Sequence, residues 1–371
     1  MFNLKKKSLK RFDFILFGAV ILLSIYGIIM IRSATLSYED IRAIRPVRVQ
    51  AISTVLGIVA ILILVFMDYH FIGKLYIPIY IVSVLMLLAV ALFGIGAEQW
   101  GSDSWLKIGN IIFQPAEIAK VGIIIFLAKY IDNNKDSINK PITLLKITVL
   151  AGIPILLIAK QPDFGTSVVF VFFTMVMLFV AGLDWKYIGY SILVGIISLP
   201  IIWFSFKPYQ RNRIFDFLYP ERDPSGSGYQ ALQAKIAIGS GKVFGRGLFQ
   251  GVQTQYNYIP EKQTDFIFAV IGEELGLIGG LALILLYLIF LYRLLKIAKE
   301  SKDTFGSLMV TGFTAMFLIH VWENIGMSIG LMPVTGIPLP FISYGGTFQL
   351  INLLCVGVAL SVAVHREGLN F

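Results

Sequence analysis

The stretch KKKSLKRFDFILFGAVILLSIYGIIMI, residues 5 to 31, decides what kind of protein this is. A basic run leads into an apolar run of about 20 residues, the length a helix needs to cross a hydrocarbon core of ~30 Å. A secretory signal also begins this way. Here the apolar run is long and no A-x-A-like site follows it, so it reads as an uncleaved first helix. Comparable runs recur near 49–67, 75–96, 112–131, 142–159, 165–182, 187–206, 272–293, 306–331 and 345–364. With 14–31 they predict an all-α polytopic integral membrane protein of about ten transmembrane helices. Hydrophobic residues make up 57% of the chain and charged residues 14%, against roughly 45–50% and about 25% in an ordinary soluble domain. The mean hydropathy is +0.80. A water-soluble fold is excluded, and residues 1–371 read as a single membrane domain.

The net charge of +9 would suggest nucleic acid in a soluble protein; here the placement of the charge matters more, and no nucleic-acid partner is expected. With the amino terminus inside, the inner segments collect Lys5, Lys6, Lys7, Lys10, Arg11, Lys74, Lys129, Lys135, Lys140, Lys186, Arg293, Lys296, Lys299, Lys302 and Arg366. The short outer segments hold Arg32, Arg42, Arg45, Arg48, Lys107 and Lys160. Fifteen against six puts both termini in the cytoplasm, with the three arginines between 42 and 48 dissenting. Residues 207–264 form the one long loop, extracytoplasmic and between the seventh and eighth spans. Within it YQALQAKIAIG, 229–239, puts Tyr229, Leu232 and Ile236 on one helical face, with Ser225 or Ser227 as possible caps and Gly239 as a stop. An amphipathic helix at the outer interface is expected. The following GSGKVFGRG lacks GxxxxGK[ST] spacing and faces away from cytoplasmic nucleotides, so no nucleotide is expected. The single Cys355 can form no intrachain disulfide, and His70, His320 and His365 make no zinc motif.

Polar residues at membrane depth are costly and mark cavities, pathways or catalytic centres. Four clusters stand out, all outward under this topology. In FQPAEIAK, 113–120, Glu117 and Lys120 share a helix face, either as a structural ion pair or as part of a site. In KQPDFGT, 160–166, Asp163 either caps the next helix or joins Gln161 in binding substrate. In IPEKQTDFIFAVIGEELG, 259–276, Thr264 or Asp265 is either an N-cap or a functional group at the polar edge of an apolar helix. Glu273 and Glu274 cannot share a face there, so at least one pairs with a cation or caps a neighbour. The fourth, NIGMSIGLMPVTGIPLPFISYGGT at 324–347, is rich in Pro and Gly and holds Ser343 and Tyr344; irregular backbone at this depth must line protein or a cavity. One shared outer cavity holding a few carboxylates and several cations would suit an anionic, lipid-linked substrate.

These four motifs, in this order, resemble the SEDS family (shape, elongation, division and sporulation) of bacterial cell-wall polymerases over essentially the whole chain. FQPAEIAK is similar to its FQPSE-x-x-K motif with Ala116 for serine, QPDFGT to its QPD-[LF]-G-T turn, and TDFIFAVIGEELG to its outer-loop motif. MPVTGIPLPFISYGGT is similar to its last outer hairpin, with Thr347 where serine is usual. GLFQGVQTQYNYIPEKQTDF, 247–266, looks more like the RodA than the FtsW branch.

The resemblance implies a peptidoglycan glycosyltransferase in a bacterial cell membrane that polymerises lipid II during elongation, an extracytoplasmic site, and Asp265 as the essential aspartate supported by Glu117 and Lys120. Its implied partners are lipid II, the growing lipid-linked glycan, a class B penicillin-binding protein and other elongation-complex membrane proteins. Asp265 would act as general base on a sugar hydroxyl. Lys120, Arg213 and Arg246, in that order, are candidates to grip the leaving pyrophosphate. A divalent cation, Mg or Mn, is implied, but the metal ligands are unknown. Alternatives are a lipid II flippase, which needs no base, a non-catalytic scaffold for a penicillin-binding protein, and an O-antigen-ligase-like transferase with a different product.

Overall fold

The computed structural model describes residues 11–38, 41–96, 103–109, 111–161, 163–205, 208–219 and 226–366. Lys5, Lys6, Lys7, Lys10, Pro162 and Ser225, which enter the sequence reading, lie outside them. The chain is built from helices: α1 (Phe14–Thr35), α2 (Ile41–Phe66), α3 (Tyr69–Lys74), α4 (Tyr76–Phe93), α5 (Pro115–Asn133), α6 (Pro141–Lys160), α7 (Phe164–Val180) and α8 (Trp185–Ser205). Then come α9 (Pro208–Leu218), α10 (Ser227–Gly241), α11 (Val252–Gln255), α12 (Ile267–Lys299), α13 (Thr304–Ser328) and α14 (Gly346–His365). A two-stranded antiparallel hairpin, β1 (Leu106–Ile108) and β2 (Ile111–Phe113), precedes α5.

Among the described residues seven helices, α1, α2, α4, α6, α12, α13 and α14, are long and apolar enough to cross a membrane. Two further expected spans, α7 and α8, are apolar but shorter by this measure, and the last, α5, carries charge along its length. The layering follows from burial. The apolar windows of α13 and α14 are 78% and 83% buried, whereas that of α4 is 17% buried. Thus α13 and α14 form the centre, and α4 presents Leu85, Leu88 and Leu92 outward, as a lipid-facing helix does. Close approach at the centre relies on missing side chains. A Cβ on Gly57 of α2 would lie 2.2 Å from Leu353 of α14, and one on Gly357 of α14 would lie 2.9 Å from Leu64 of α2, the small-residue packing that lets membrane helices touch.

The segment 207–264 is more ordered than a loop with one interfacial helix: α9, α10 and α11 all lie in it. The helix expected at 229–239 runs instead over Ser227–Gly241, and its N-cap is Gly226 with no side-chain cap bond. Its packed face is the small one: Ala234 and Ala237 are fully buried, while Leu232 and Ile236 are exposed. The physical reason is proximity to α12. A Cβ on Gly241 would sit 1.9 Å from the carbonyl oxygen of Gly272, so only the alanine and glycine face can dock there. Likewise α2 starts at Ile41, so Arg42, Arg45 and Arg48, expected in a loop before 49, are helical.

The eighth expected span begins earlier than 272 and is broken. Helix α12 starts at Ile267 and is interrupted at Gly276 (φ 64°, ψ −160°), a left-handed conformation that glycine tolerates. A break inside an apolar helix strands backbone groups, which must find partners. The GSGKVFGRG segment supplies them: Leu277 N donates to Lys242 O (2.9 Å), Ile278 N to Val243 O (3.2 Å), Arg246 N to Glu273 O (3.0 Å) and Gly247 N to Glu274 O (3.0 Å). What resembles a phosphate loop is the patch for a broken helix.

The two ends of the bundle separate cleanly. At one, Arg11 donates to the Arg366 carbonyl, Arg293 pairs with Asp13 at 2.6 Å, and Arg366 pairs with Glu300. The first and last described residues therefore meet beside the turn joining α12 to α13. The other end holds the start of α12 and the proline-rich hairpin.

Candidate active site

The four polar clusters, far apart in sequence, meet at that second end. The turn before α12 is tied to the hairpin through its backbone. Ser343 Oγ donates to Thr264 O (2.6 Å) and accepts from Leu339 N (2.8 Å), and Tyr344 N donates to Gln263 O (2.8 Å). Asn324 Nδ2 reaches both Asp265 O and Ile337 O at 2.8 Å. Gln50 of α2 accepts from Gly345 N at 3.1 Å, fixing the hairpin's far side. These bonds explain why irregular backbone persists here: its polar groups have partners.

Among the described residues this scaffold gives the Asp265 carboxyl group no hydrogen-bond or ion-pair partner. The N-cap of α12 is Phe266, and no side chain caps the helix. Thr264 Oγ1 turns back to Glu261 O (3.1 Å). Asp265 is half-buried, and its Oδ2 faces Gly336 of the hairpin, where a Cβ would lie 3.4 Å away; the φ of 75° at that position is what favours glycine. Burial pushes its carboxyl up to about 7; the nearby Glu261 carboxylate adds to the rise and the Arg213 guanidinium of α9 opposes it. Arg213 shares a small pocket with Lys235 and hairpin residues Gly330, Met332 and Pro333.

Next to it lies a buried charge network. Gln114 is the N-cap of α5 and Pro115 its first residue, placing Glu117 in the first turn, where the helix dipole favours an acid. Lys120 Nζ donates to Glu117 Oε1 at 2.8 Å and contacts His320 Nε2 at 2.8 Å. Since His320 Nδ1 lies 2.7 Å from Met316 O, the proton sits on Nδ1 and Nε2 accepts from lysine. Lys120 is 1% exposed, so its ammonium holds α5 against α13 in this conformation. Asp163 accepts from Thr166 N (3.0 Å), Thr166 Oγ1 (2.9 Å) and Gln114 Nε2 (3.1 Å), capping α7 and linking two of the motifs.

Other expected residues have structural partners. Gln161 is buried and its amide donates to Leu87 O (2.9 Å). Arg246 Nε donates to Ser240 Oγ (2.9 Å), beside the break in α12 and two turns beyond Asp265. Glu273 caps α11, accepting from Gln253 N (2.7 Å) and from Thr254 N (3.0 Å) and Oγ1 (2.7 Å). Glu274 accepts from Ser33 Oγ (2.6 Å) and Phe249 N (3.0 Å). Among the described residues no group of three or more His, Cys, Asp or Glu side chains could hold a metal ion.

Three residues join the site that the sequence reading does not place in it: His320, Glu323 and Arg45. Glu323 is 1% exposed, no hydrogen bond of ordinary geometry reaches either carboxylate oxygen among the described residues, and it lies close enough to Thr335, Asp163 and Lys120 for them to act on it. Arg45 lies near Tyr344, whose hydroxyl pKa burial raises and Arg45 lowers. The signal for the first two was present: His320 and Glu323, three apart in an apolar helix, share one face.

With this geometry established, relatives become informative. A family model described as cell cycle protein, FTSW_RODA_SPOVE, matches residues 13–368. The chain is 41% identical over 294 residues to the peptidoglycan glycosyltransferase MrdB of Escherichia coli strain K12, covering 79% of this chain and 78% of that one. It is 36% identical over 363 residues to stage V sporulation protein E of Bacillus subtilis, covering 96% and 98%. Its fold matches a chain solved in work on structural coordination of polymerization and crosslinking by a peptidoglycan synthase complex, with TM-score 0.81, 30% identity and coverage of 96% and 98%. It also matches the crystal structure of the Thermus thermophilus rod shape determining protein RodA, with TM-score 0.72, 27% identity and coverage of 96% and 98%. The chain belongs to the FtsW, RodA and SpoVE family of cell cycle proteins.

Proposed function

We propose that this chain is a peptidoglycan glycosyltransferase that polymerises lipid II into β-1,4 glycan strands, with Asp265 as general base. The reaction class rests on the named relatives. The residue assignment rests on one observation: a carboxyl group at a helix start that caps nothing and faces the hairpin across Gly336. A sugar hydroxyl is a poor nucleophile near neutral pH, and a positioned base contributes typically 10²–10⁴-fold. A carboxyl titrating near 7 is matched to that task.

In the proposed step Asp265 removes the proton from the acceptor's 4-hydroxyl. The oxygen forms a bond to the donor's anomeric carbon, and the lipid pyrophosphate leaves from the opposite face with its bonding electrons, inverting the centre. That leaving group is already anionic and needs cations more than an acid. Arg213, nearest in charge to Asp265, is the first candidate; Arg45 extends the cationic rim towards Tyr344. The ion pair Glu117 with Lys120 holds the floor.

The end bearing Asp265 is assigned to the extracytoplasmic side of a bacterial cell membrane and the end where Arg11 and Arg366 meet to the cytoplasm, in keeping with the lysine and arginine distribution. A class B penicillin-binding protein is the proposed partner, in line with the matching chain of a peptidoglycan synthase complex; elongation is the proposed setting, among other membrane proteins of that complex. Purified full-length protein with its partner, given lipid II, tests the reading. Polymer from the wild type and none from Asp265→Ala is expected; equal polymer from both removes the general base. Movement of lipid II between leaflets without polymer would make the chain a flippase.

A further inference from the structure

The end opposite Asp265 carries a cleft of about 470 Å³ between the last turn of α5, the end of α7 and the turn joining α12 to α13. Its rim bears Lys135, Lys299 and Lys302, and the hydroxyls of Ser301, Thr304 and Ser307 line it. Two carboxylates also line it, and both are committed. Asp132 accepts from Lys129 at 2.8 Å. Asp303 accepts from Gly306 N (2.7 Å), Tyr69 hydroxyl (2.7 Å) and His70 Nε2 (2.6 Å), which hold its carboxyl below the usual range despite burial. The neighbouring Glu300 is shared by Lys296 and Arg366. Among the described residues no carboxylate forms an ion pair with Lys135 or Lys299, so the cleft has an excess of positive charge.

The apolar wall points to where the ligand comes from. Val180 lines the cleft and is 49% exposed; it continues into exposed Phe179, whose ring meets that of Trp185 edge-on at 5.2 Å. Trp185 is itself 74% exposed, and exposed tryptophan at a helix end marks the membrane interface. The cleft therefore sets lysines beside an exposed apolar wall. We propose that it binds the phosphate head group of an anionic phospholipid from the leaflet opposite Asp265. Lys135 and Lys299 would grip the phosphate, the hydroxyls would donate to its oxygens, and the acyl chains would lie along Val180 and Phe179. Basic pockets between helices at a membrane face are suited to such lipids.

Full-length protein reconstituted in mixed phosphatidylcholine and phosphatidylglycerol, then extracted gently and weighed by native mass spectrometry, reports which lipid is retained. Wild type should retain phosphatidylglycerol roughly tenfold over phosphatidylcholine, and K135Q/K299Q should lose most of that preference. K186Q, which removes an exposed lysine paired with Asp184 outside the cleft, should keep it. Matching thermal unfolding of all three rules out a folding defect as the cause. Equal retention of both lipids by the wild type, or an unchanged preference in K135Q/K299Q, overturns the proposal. Displacement of the bound lipid by millimolar inorganic phosphate also overturns it, because the cleft would then be a site for soluble anions. None of these readouts depends on polymerisation.

Discussion

Two aspartates stand at helix starts at the same end of the molecule, and they do opposite things. Asp163 precedes α7 and behaves as a short polar residue before an apolar helix usually does: its oxygens accept from Thr166 N and Oγ1, and Gln114 holds it from the side. Asp265 stands two residues before α12, where the same cap was available, yet the cap is Phe266 and Asn324 holds the backbone carbonyl of Asp265 instead of its side chain. One carboxylate is bonded into the fold; the other residue is held at its main chain, which is why Asp265 and not Asp163 carries the proposed chemistry.

The sharpest way to break this comparison is to remove both carboxylates in parallel. Asp265→Ala should lower polymerisation of lipid II by about 10²–10⁴-fold with little change in thermal unfolding, because no described side-chain bond is lost. Asp163→Ala should do the reverse, and equal activity losses at unchanged stability would erase the distinction.

Much of this was readable before any coordinates. The spans were legible because a hydrocarbon solvent imposes length and composition on each helix separately, and the four clusters because polar residues there are conspicuous. Which carboxylate caps and which is free was not legible, since Thr264, Asp265 and Asp163 all fit an N-cap by sequence. The choice depends on where the hairpin's Ser343 and Asn324 pull the backbone, a tertiary fact. The face on which α10 docks is not legible for the same reason: Leu232 and Ile236 stay exposed, and the backbone of α12 at Gly272 admits only the small face of Ala234, Ala237 and Gly241. Glu323 was passed over although its position was informative, because its helix reads as continuous apolar core.

The next effect tests the floor of the site. Lys120→Met leaves Glu117 buried without its cation, and breaking a buried pair in this way costs about 3–5 kcal/mol. Unfolding in detergent should show that loss, and Glu117→Gln added to it should restore part of it. Failure of the second change to recover any stability would show that His320, not Glu117, is the partner that matters. Glu323→Leu is expected to act oppositely. Removing a buried carboxyl that no hydrogen bond of ordinary geometry reaches among the described residues should leave stability unchanged or raise it by about 1–3 kcal/mol, while polymerisation falls if the carboxyl serves the reaction. A clear loss of stability would mean that Glu323 has a structural partner after all.

Smaller still is the titration of the proposed base. Asp265 must be ionised to accept a proton, so activity should be low in acid and rise with pH through about 7. The neighbours set the direction of change: Glu261→Gln removes a charge that raises the carboxyl and should move this limb to lower pH, whereas Arg213→Gln removes one that lowers it and should move the limb up, each by up to about one pH unit. Shifts of the wrong sign in pH profiles of kcat/KM would mean that another group titrates.

The smallest effect decides whether Asp163 belongs with the fold or with the chemistry. Losing an N-cap to alanine costs about 0.5–2 kcal/mol, whereas asparagine caps nearly as well as aspartate. Asp163→Ala should therefore lower the thermal midpoint modestly, and Asp163→Asn should restore it, because an asparagine carbonyl can still accept from Thr166 N. The asparagine variant lacks the negative charge that acts on Glu323 but keeps the geometry of α7, so its activity isolates charge from capping. Near-wild-type polymerisation by Asp163→Asn keeps the two aspartates distinct. A large loss at an unchanged midpoint would place Asp163 beside Asp265 in contact with substrate, and capping would then be only half of what this turn does.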